Sequence, residues 1–251
     1  MRIALKFAYN GKNFYGYARQ PNLKTVEGNI IKNLIKHGFI EDTQDSFFRS
    51  ASRTDKGVSA LCNVVAFNTS FTAKKALDKL TRESSDIIFY ASSEVGSDFN
   101  PRHAKSRVYR YYLRGIELDV NKVIRTLAVF TGIHDFTNFA RVEDFKNPVR
   151  QIENIVVTDS DDFLIVDFYA PNFLWNQIRR IISAVQKVGV GKLDKQEVVE
   201  ALSNPEKIAD FNVAPAEPLI LKDICYDFKF EYTEKTHNKI THIEKELVAN
   251  L

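Results

Sequence analysis

Ile3, Leu5, Phe7 and Tyr9 alternate with small or polar residues, a period of two that predicts a strand with one buried face. Thr25 stands where a helix cap is wanted, ahead of Val26, Ile30, Leu34 and Ile35 along one side, and Gly38 closes the run. Phe47–Ser50 and Asn63–Asn68 read as strands, Ala73–Leu80 as a short helix and Ile87–Ala91 as a further strand. Val108–Leu113 begins the second half as an aromatic, charged strand, and Asp119 can cap a helix running to about Phe130, which "GIHDFTNFAR" breaks. Ile152–Thr158 and Phe163–Tyr169 predict a hairpin turning around Asp159–Asp162. Asn172 then caps an amphipathic helix with Leu174, Ile178, Ile181, Ile182, Val185 and Val188 on its stripe, ending at Gly189. Asp194 and Glu197 suit a capping box for a helix to Leu202, and Leu219–Tyr226 is the last strand predicted.

The order strand–helix–strand–strand–helix–strand thus occurs twice, with no sequence identity between the halves. It predicts an α+β fold: a mixed, mainly antiparallel central sheet with helices on one face. Two ferredoxin-like halves, 1–104 and 105–251, would be related by a pseudo-twofold with a cleft between them.

A chain of 251 residues, 44% of them hydrophobic, can bury a sizeable core without staples. No run approaches a membrane span and the N-terminus has no apolar leader, so the expectation is a cytoplasmic protein with no membrane partner. Cys62 and Cys225 form no C-x-x-C, and the histidines show no H-E-x-x-H spacing, so no metal site is expected. The net charge of +3 is small, yet Met1–Val26 and Phe99–Ile116 contain bases and no acid. Interleaved with Tyr15, Tyr17, Tyr109, Tyr111 and Tyr112, these stretches suit a polyanion with stackable bases, although such charges also commonly solvate strand faces.

"SASRTDKGVSALCNVVAF" (50–67) sets one carboxylate, Asp55, between Arg53 and Lys56 in a turn. Alone, Thr-Asp-Lys-Gly is an ordinary turn in which Gly57 takes φ > 0. With Arg53 and Lys56 in reach, the carboxylate would be held ionised, as a nucleophile or base needs.

"RTDKGVSA" (53–60) closely resembles the signature R-T-D-x-G-V-[HS]-A of the tRNA pseudouridine synthase A (TruA) family. "YNGKNFYGYARQ" (9–20), "DFNPRHAKSRVYRYYL" (98–113), "HDFTNFA" (134–140) and "NFLWNQIRRI" (172–181) fall in the family's order, and the resemblance continues through "APAEPLIL" (214–221). It implies conversion of uridine to pseudouridine in tRNA without a cofactor. Asp55 would be the catalytic nucleophile, attacking C6 of uracil or C1′ of the ribose. Tyr109 would stack on the uracil and assist removal of the C5 proton, and Arg179 would pair with Asp55. Arg179 also adjoins Ile178 and Ile181 on an apolar stripe, where a charge wants an acidic partner. Arg53 would contact phosphate or fill the gap left by an extruded base. Lys12, Arg19, Lys56, Arg102, Lys105, Arg107 and Arg110 are the remaining candidates for RNA contact.

By resemblance the substrate is the anticodon stem-loop, at about positions 38–40 in tRNA numbering, read by shape. The resemblance also implies a homodimer. Asn10, Tyr17, Ser52, Ser59 and Pro218 depart from the commonest family residues, which bears on substrate range rather than on the nucleophile. Two rivals stand beside this reading: a non-catalytic RNA-binding protein, and a metal-dependent nuclease using Asp55 with Asp98 or Asp135.

Overall fold

The alternation at the N-terminus folds as β1 (Arg2–Tyr9), and Thr25 caps α1 (Val26–Lys36) by accepting from the amide of Gly28. β2 (Arg49–Ser50), β3 (Ser59–Asn68), α2 (Ala73–Glu83) and β4 (Ile87–Val95) follow. The computed structural model describes residues 1–84, 86–114, 117–160, 162–233 and 236–251. The chain divides into two compact units, Met1–Lys105 with Ile220–Leu251, and Ser106–Leu219. One division falls between Lys105 and Ser106, and the strands that follow Leu219 belong to the first unit.

Unit 2 runs β5 (Ser106–Arg114), α3 (Val120–Leu127), β6 (Gly132–Asp135), β7 (Val149–Ile152), β8 (Asn154–Ser160), β9 (Phe163–Ala170), α4 (Gln177–Gly189) and α5 (Lys195–Ser203). β10 (Leu219–Cys225), β11 (Glu231–Tyr232) and α6 (Thr236–Ala249) complete the chain.

In unit 1 the strands lie in the order β4-β1-β3-β2 with antiparallel neighbours, the arrangement of a βαββαβ repeat. β10 joins β3 in parallel and β11 joins β4. β1 is buried along its whole length, not on one face only. The reason is local: Lys6 pairs with Asp223 at 3.2 Å and lies over the ring of Phe230, so its face is covered as well. Burial disfavours the Asp223 carboxylate, but the Lys6 charge and hydrogen bonds from Lys6, Cys62 and the Ile224 amide together outweigh it and hold the acid below the usual carboxylate range.

In unit 2, β9 pairs antiparallel with β5 and with β8, and β6 pairs with β7 as a separate small sheet. The aromatic residues of "HDFTNFA" form core: Phe136 and Phe139 are fully buried, and Phe139 packs against Phe130 and Phe211. Asn138 donates to the carbonyls of Ala201 and Lys207, tying this segment to α5 and the loop after it.

Several elements differ from the sequence expectation. Phe47 is exposed with φ +47°, so the second strand shrinks to Arg49–Ser50. Ile35 is exposed and lies off the buried stripe of α1. The strand expected over Ile152–Thr158 is broken at Glu153, whose amide bonds to Tyr169 instead of continuing the ladder of β7. The hairpin turn expected at Asp159–Asp162 includes Asp161, which is outside the described residues. α4 starts after Asn176, in the left-handed region at φ +60°, and neither Asn172 nor Leu174 belongs to it. β6, β11 and α6 have no counterpart in the pattern reading. Among the described residues no helix is long and apolar enough to cross a membrane.

Candidate active site

Asp55 sits in unit 1 on the loop between β2 and β3, half-buried, and the loop is fixed from several sides. Asn63 on β3 is fully buried; its side chain donates to the carbonyl of Ser52 at 2.9 Å and accepts from the Ser52 amide at 3.3 Å. Thr54 is buried, with its hydroxyl 2.8 Å from the Tyr9 hydroxyl, and its carbonyl accepts from the Tyr17 amide at 3.2 Å. The Val58 amide donates to the Asp55 carbonyl at 3.2 Å, closing a turn in which Gly57 has φ +89°. That φ at the third turn position is the reason for glycine there.

A second loop, 10–17, braces the first. The Gly11 amide donates to the Ser59 hydroxyl at 2.9 Å, and a Cβ on Gly11 would lie 2.4 Å from the Val58 carbonyl oxygen. Only glycine fits so close an approach. Ser52 and Thr54 therefore point inward, while Arg53 is exposed and Asp55 half-exposed between them. The loop presents its carboxylate on a backbone that cannot readily rearrange.

Nearby, Lys56 is exposed and carries its ammonium over the Tyr15 ring at 4.7 Å. Arg19 is exposed beside Glu27 at 3.4 Å, and Lys12 donates to the Asn250 carbonyl at 3.1 Å. Tyr17 is fully buried and its hydroxyl is pushed well above the usual phenol range, chiefly by burial. The sequence reading did not single out Tyr9, Thr54 or Asn63 as positioning residues. A signal for Asn63 was present: a lone amide inside the apolar run "LCNVVAF".

Arg102 and Lys105, also in unit 1, are exposed, and Lys105 pairs with Asp227 at 3.1 Å. Arg107 and Arg110, the other two candidates for RNA contact, are in unit 2 and already have partners there. Arg107 is buried and donates to the carbonyl of Pro171. Arg110 makes two 2.7 Å bonds to Asp167, its register partner on β9. That pairing raises the Arg110 pKa further. These cations stabilise the sheet.

Tyr109 lies on β5, half-buried, with the Phe173 ring edge-on at 5.3 Å. Arg179 lies in the first turn of α4. Its Nε donates to the Ala214 carbonyl at 2.7 Å and its Nη1 to the Asn176 side-chain oxygen at 3.3 Å. The neighbouring Tyr111 hydroxyl donates to Pro215; burial raises its pKa and the charge of Arg179 acts in the opposite sense. Among the described residues, no group of three or more His, Cys, Asp or Glu side chains could hold a metal ion.

A family model described as tRNA pseudouridine synthase matches residues 127–227. A protein named tRNA pseudouridine synthase A from Thermococcus sibiricus is 45% identical over 233 residues, spanning 92% of this chain and 87% of its own. The chain belongs to this family. Further tRNA pseudouridine synthases A, from Pyrococcus abyssi and Methanobrevibacter smithii, are 44% and 36% identical over 95% and 93% of the chain, and over 90% and 86% of their own lengths. The family's enzymes are isomerases of uridine in tRNA. A solved structure titled "Structure of H/ACA RNP bound to a substrate RNA containing 2'-deoxyuridine" is 12% identical at a TM-score of 0.38, over 85% of this chain and 60% of that one, too slight a likeness to bear on fold or function.

Proposed function

We propose that this chain isomerises uridine to pseudouridine in the anticodon stem-loop of tRNA, at about positions 38–40, with Asp55 as nucleophile and no cofactor. The observation that carries this reading is the braced turn that holds Asp55 half-exposed, in a chain 45% identical to a tRNA pseudouridine synthase A.

The chemistry balances without an added reagent. A carboxylate oxygen of Asp55 bonds to C6 of uracil or to C1′ of the ribose, and the N1–C1′ bond breaks. The detached uracil turns, C5 bonds to C1′, the C5 proton leaves to solvent, N1 takes up a proton, and the bond to Asp55 is released. Tyr109 stacks on the uracil and assists loss of the C5 proton. Arg179 pairs with Asp55. A uridine in a stem must first leave its stack, at a cost of roughly a few kcal/mol. Contacts from Arg53, Lys56, Lys12, Arg19, Arg102 and Lys105 to flanking phosphates offset that cost. Their exposure supports this role. We leave Arg107 and Arg110 out of the RNA surface.

Family resemblance further implies a homodimer, which sedimentation of the purified chain tests, and the sequence pattern suggests a cytoplasmic protein. The functional reading is tested by mapping pseudouridine in tRNA transcripts after incubation with the protein and a strong chelator. New pseudouridine confined to the anticodon stem-loop is expected. Modification elsewhere alone would overturn the substrate assignment, and strand cleavage that the chelator stops would favour the nuclease.

A further inference from the structure

In unit 1 a groove of about 470 Å³ opens between the segment that follows α1, at His37 and Phe39, the turn after β3, and the face of α2 from Lys74 to Arg82. Phe39 and Phe71 form its apolar floor, packed edge to face at 5.2 Å. Lys74, Lys75 and Arg82 line it, all exposed. Lys75 is held in place, with its ammonium 4.5 Å above the Phe71 ring. Neither Lys74 nor Lys75 has a carboxylate within salt-bridge distance among the described residues. Lys79 is already engaged by Glu83 at 3.0 Å, and Asp78 is the acid on the groove wall. The groove is therefore net positive. His37 also lines it, and its Nε2 is buried without a hydrogen-bond partner. Buried ring nitrogens are rarely left unpaired, and an oxygen of a bound ligand can supply the missing partner.

We propose that this groove binds the phosphate backbone of the same tRNA whose uridine Asp55 attacks, on an arm remote from the target. Asp55 lies just before the start of β3, whereas Phe71 and Thr72 lie just past its end. β3 runs from Ser59 to Asn68, so the two places are separated by a strand of about 30 Å at the usual rise per residue. A stem-loop seated at Asp55 leaves the rest of the tRNA to cross such a distance. Lys75, held over the Phe71 ring beside exposed Lys74, suits a phosphodiester, because the ring holds the cation without neutralising it. The inference rests on the tRNA reading of the Asp55 site.

The test uses the full chain with Lys74→Glu and Lys75→Glu combined, and measures binding by fluorescence anisotropy across a salt series. The ligands are an intact tRNA transcript and its isolated anticodon stem-loop. Affinity for intact tRNA should fall about tenfold or more, and its salt slope by about 2, one for each phosphate that is no longer neutralised. Affinity for the stem-loop should match the wild type. Unchanged affinity for intact tRNA, or an equal loss for both ligands, overturns the proposal. The melting temperature is measured alongside, and Lys74→Gln with Lys75→Gln replaces the pair if charge reversal unfolds it. Binding is read without turnover. A wild type that binds tRNA but makes no pseudouridine therefore sinks the functional reading and leaves the groove test intact.

Discussion

The loop from Ala51 to Val58 and the strand from Ser106 to Arg114 both carry basic side chains, and hold them in opposite ways. In the loop the backbone and the small side chains are tied down, by Asn63 to Ser52 and by Tyr9 to Thr54, while Arg53 and Lys56 stay exposed. In the strand the charged groups themselves are consumed, Arg107 by the Pro171 carbonyl and Arg110 by Asp167. A basic residue is available to a polyanion only when something else holds its backbone. The loop has that support, and the strand spends its cations on providing it.

This contrast breaks first at Asp167. Asp167→Ala leaves the Arg110 guanidinium in a mostly buried site without its carboxylate and should cost about 3–5 kcal/mol in urea unfolding. Arg53→Ala, on the exposed side of the loop, should stay within about 0.5 kcal/mol. Equal losses for the two would erase the distinction between them.

Next comes the brace itself. Thr54→Val removes the hydrogen bond between the buried Tyr9 and Thr54 hydroxyls and should cost about 1–3 kcal/mol. It should also slow turnover more than it weakens tRNA binding, and Thr54→Ser should restore both. A variant with native turnover would show that the hydrogen bond does not position Asp55.

A smaller effect separates the loop from the covered face of β1. Because the folded-state pKa of Asp223 is depressed, its contribution to stability is present above the unfolded value of about 3.9 and is lost as pH falls through the folded one. Asp223→Asn should therefore lower the melting temperature at neutral pH and reduce the additional loss below about pH 4. Melting curves from neutral pH down to about pH 3 check the sign. The smallest change is expected from Lys56→Gln, which should leave stability alone and lower the salt slope of tRNA binding by about 1.

Much of this was legible from pattern. Alternation marks β1, caps mark α1, α3 and α5, and the Asp55 turn with its positive-φ glycine is written in four residues. Charge availability was not legible, because Arg107 and Arg110 look the same in sequence as Arg102 and Lys105. What differs is burial: Arg107 and Arg110 are covered where they meet Pro171 and Asp167, dozens of residues away, whereas Arg102 and Lys105 stay exposed. α6 was missed because its pattern is weak: of the described positions, Ile243 and Leu247 are buried and most of the rest is polar. The start of α4 was misplaced because Asn176, not Asn172, takes the left-handed turn that opens it. The brace around Asp55 was hidden for another reason. Tyr9 and Asn63 read as ordinary strand residues until the register of β1 and β3 brings them to the same loop.

The central claim is that Asp55 attacks the nucleotide and that loss of the C5 proton follows from that attack. Release of tritium from tRNA carrying [5-³H]uridine, comparing the wild type with Asp55→Asn in the presence of a chelator, tests it most directly. The account predicts release by the wild type and background for the variant, with tRNA binding retained by both. Tritium release by Asp55→Asn at the wild-type rate would contradict it.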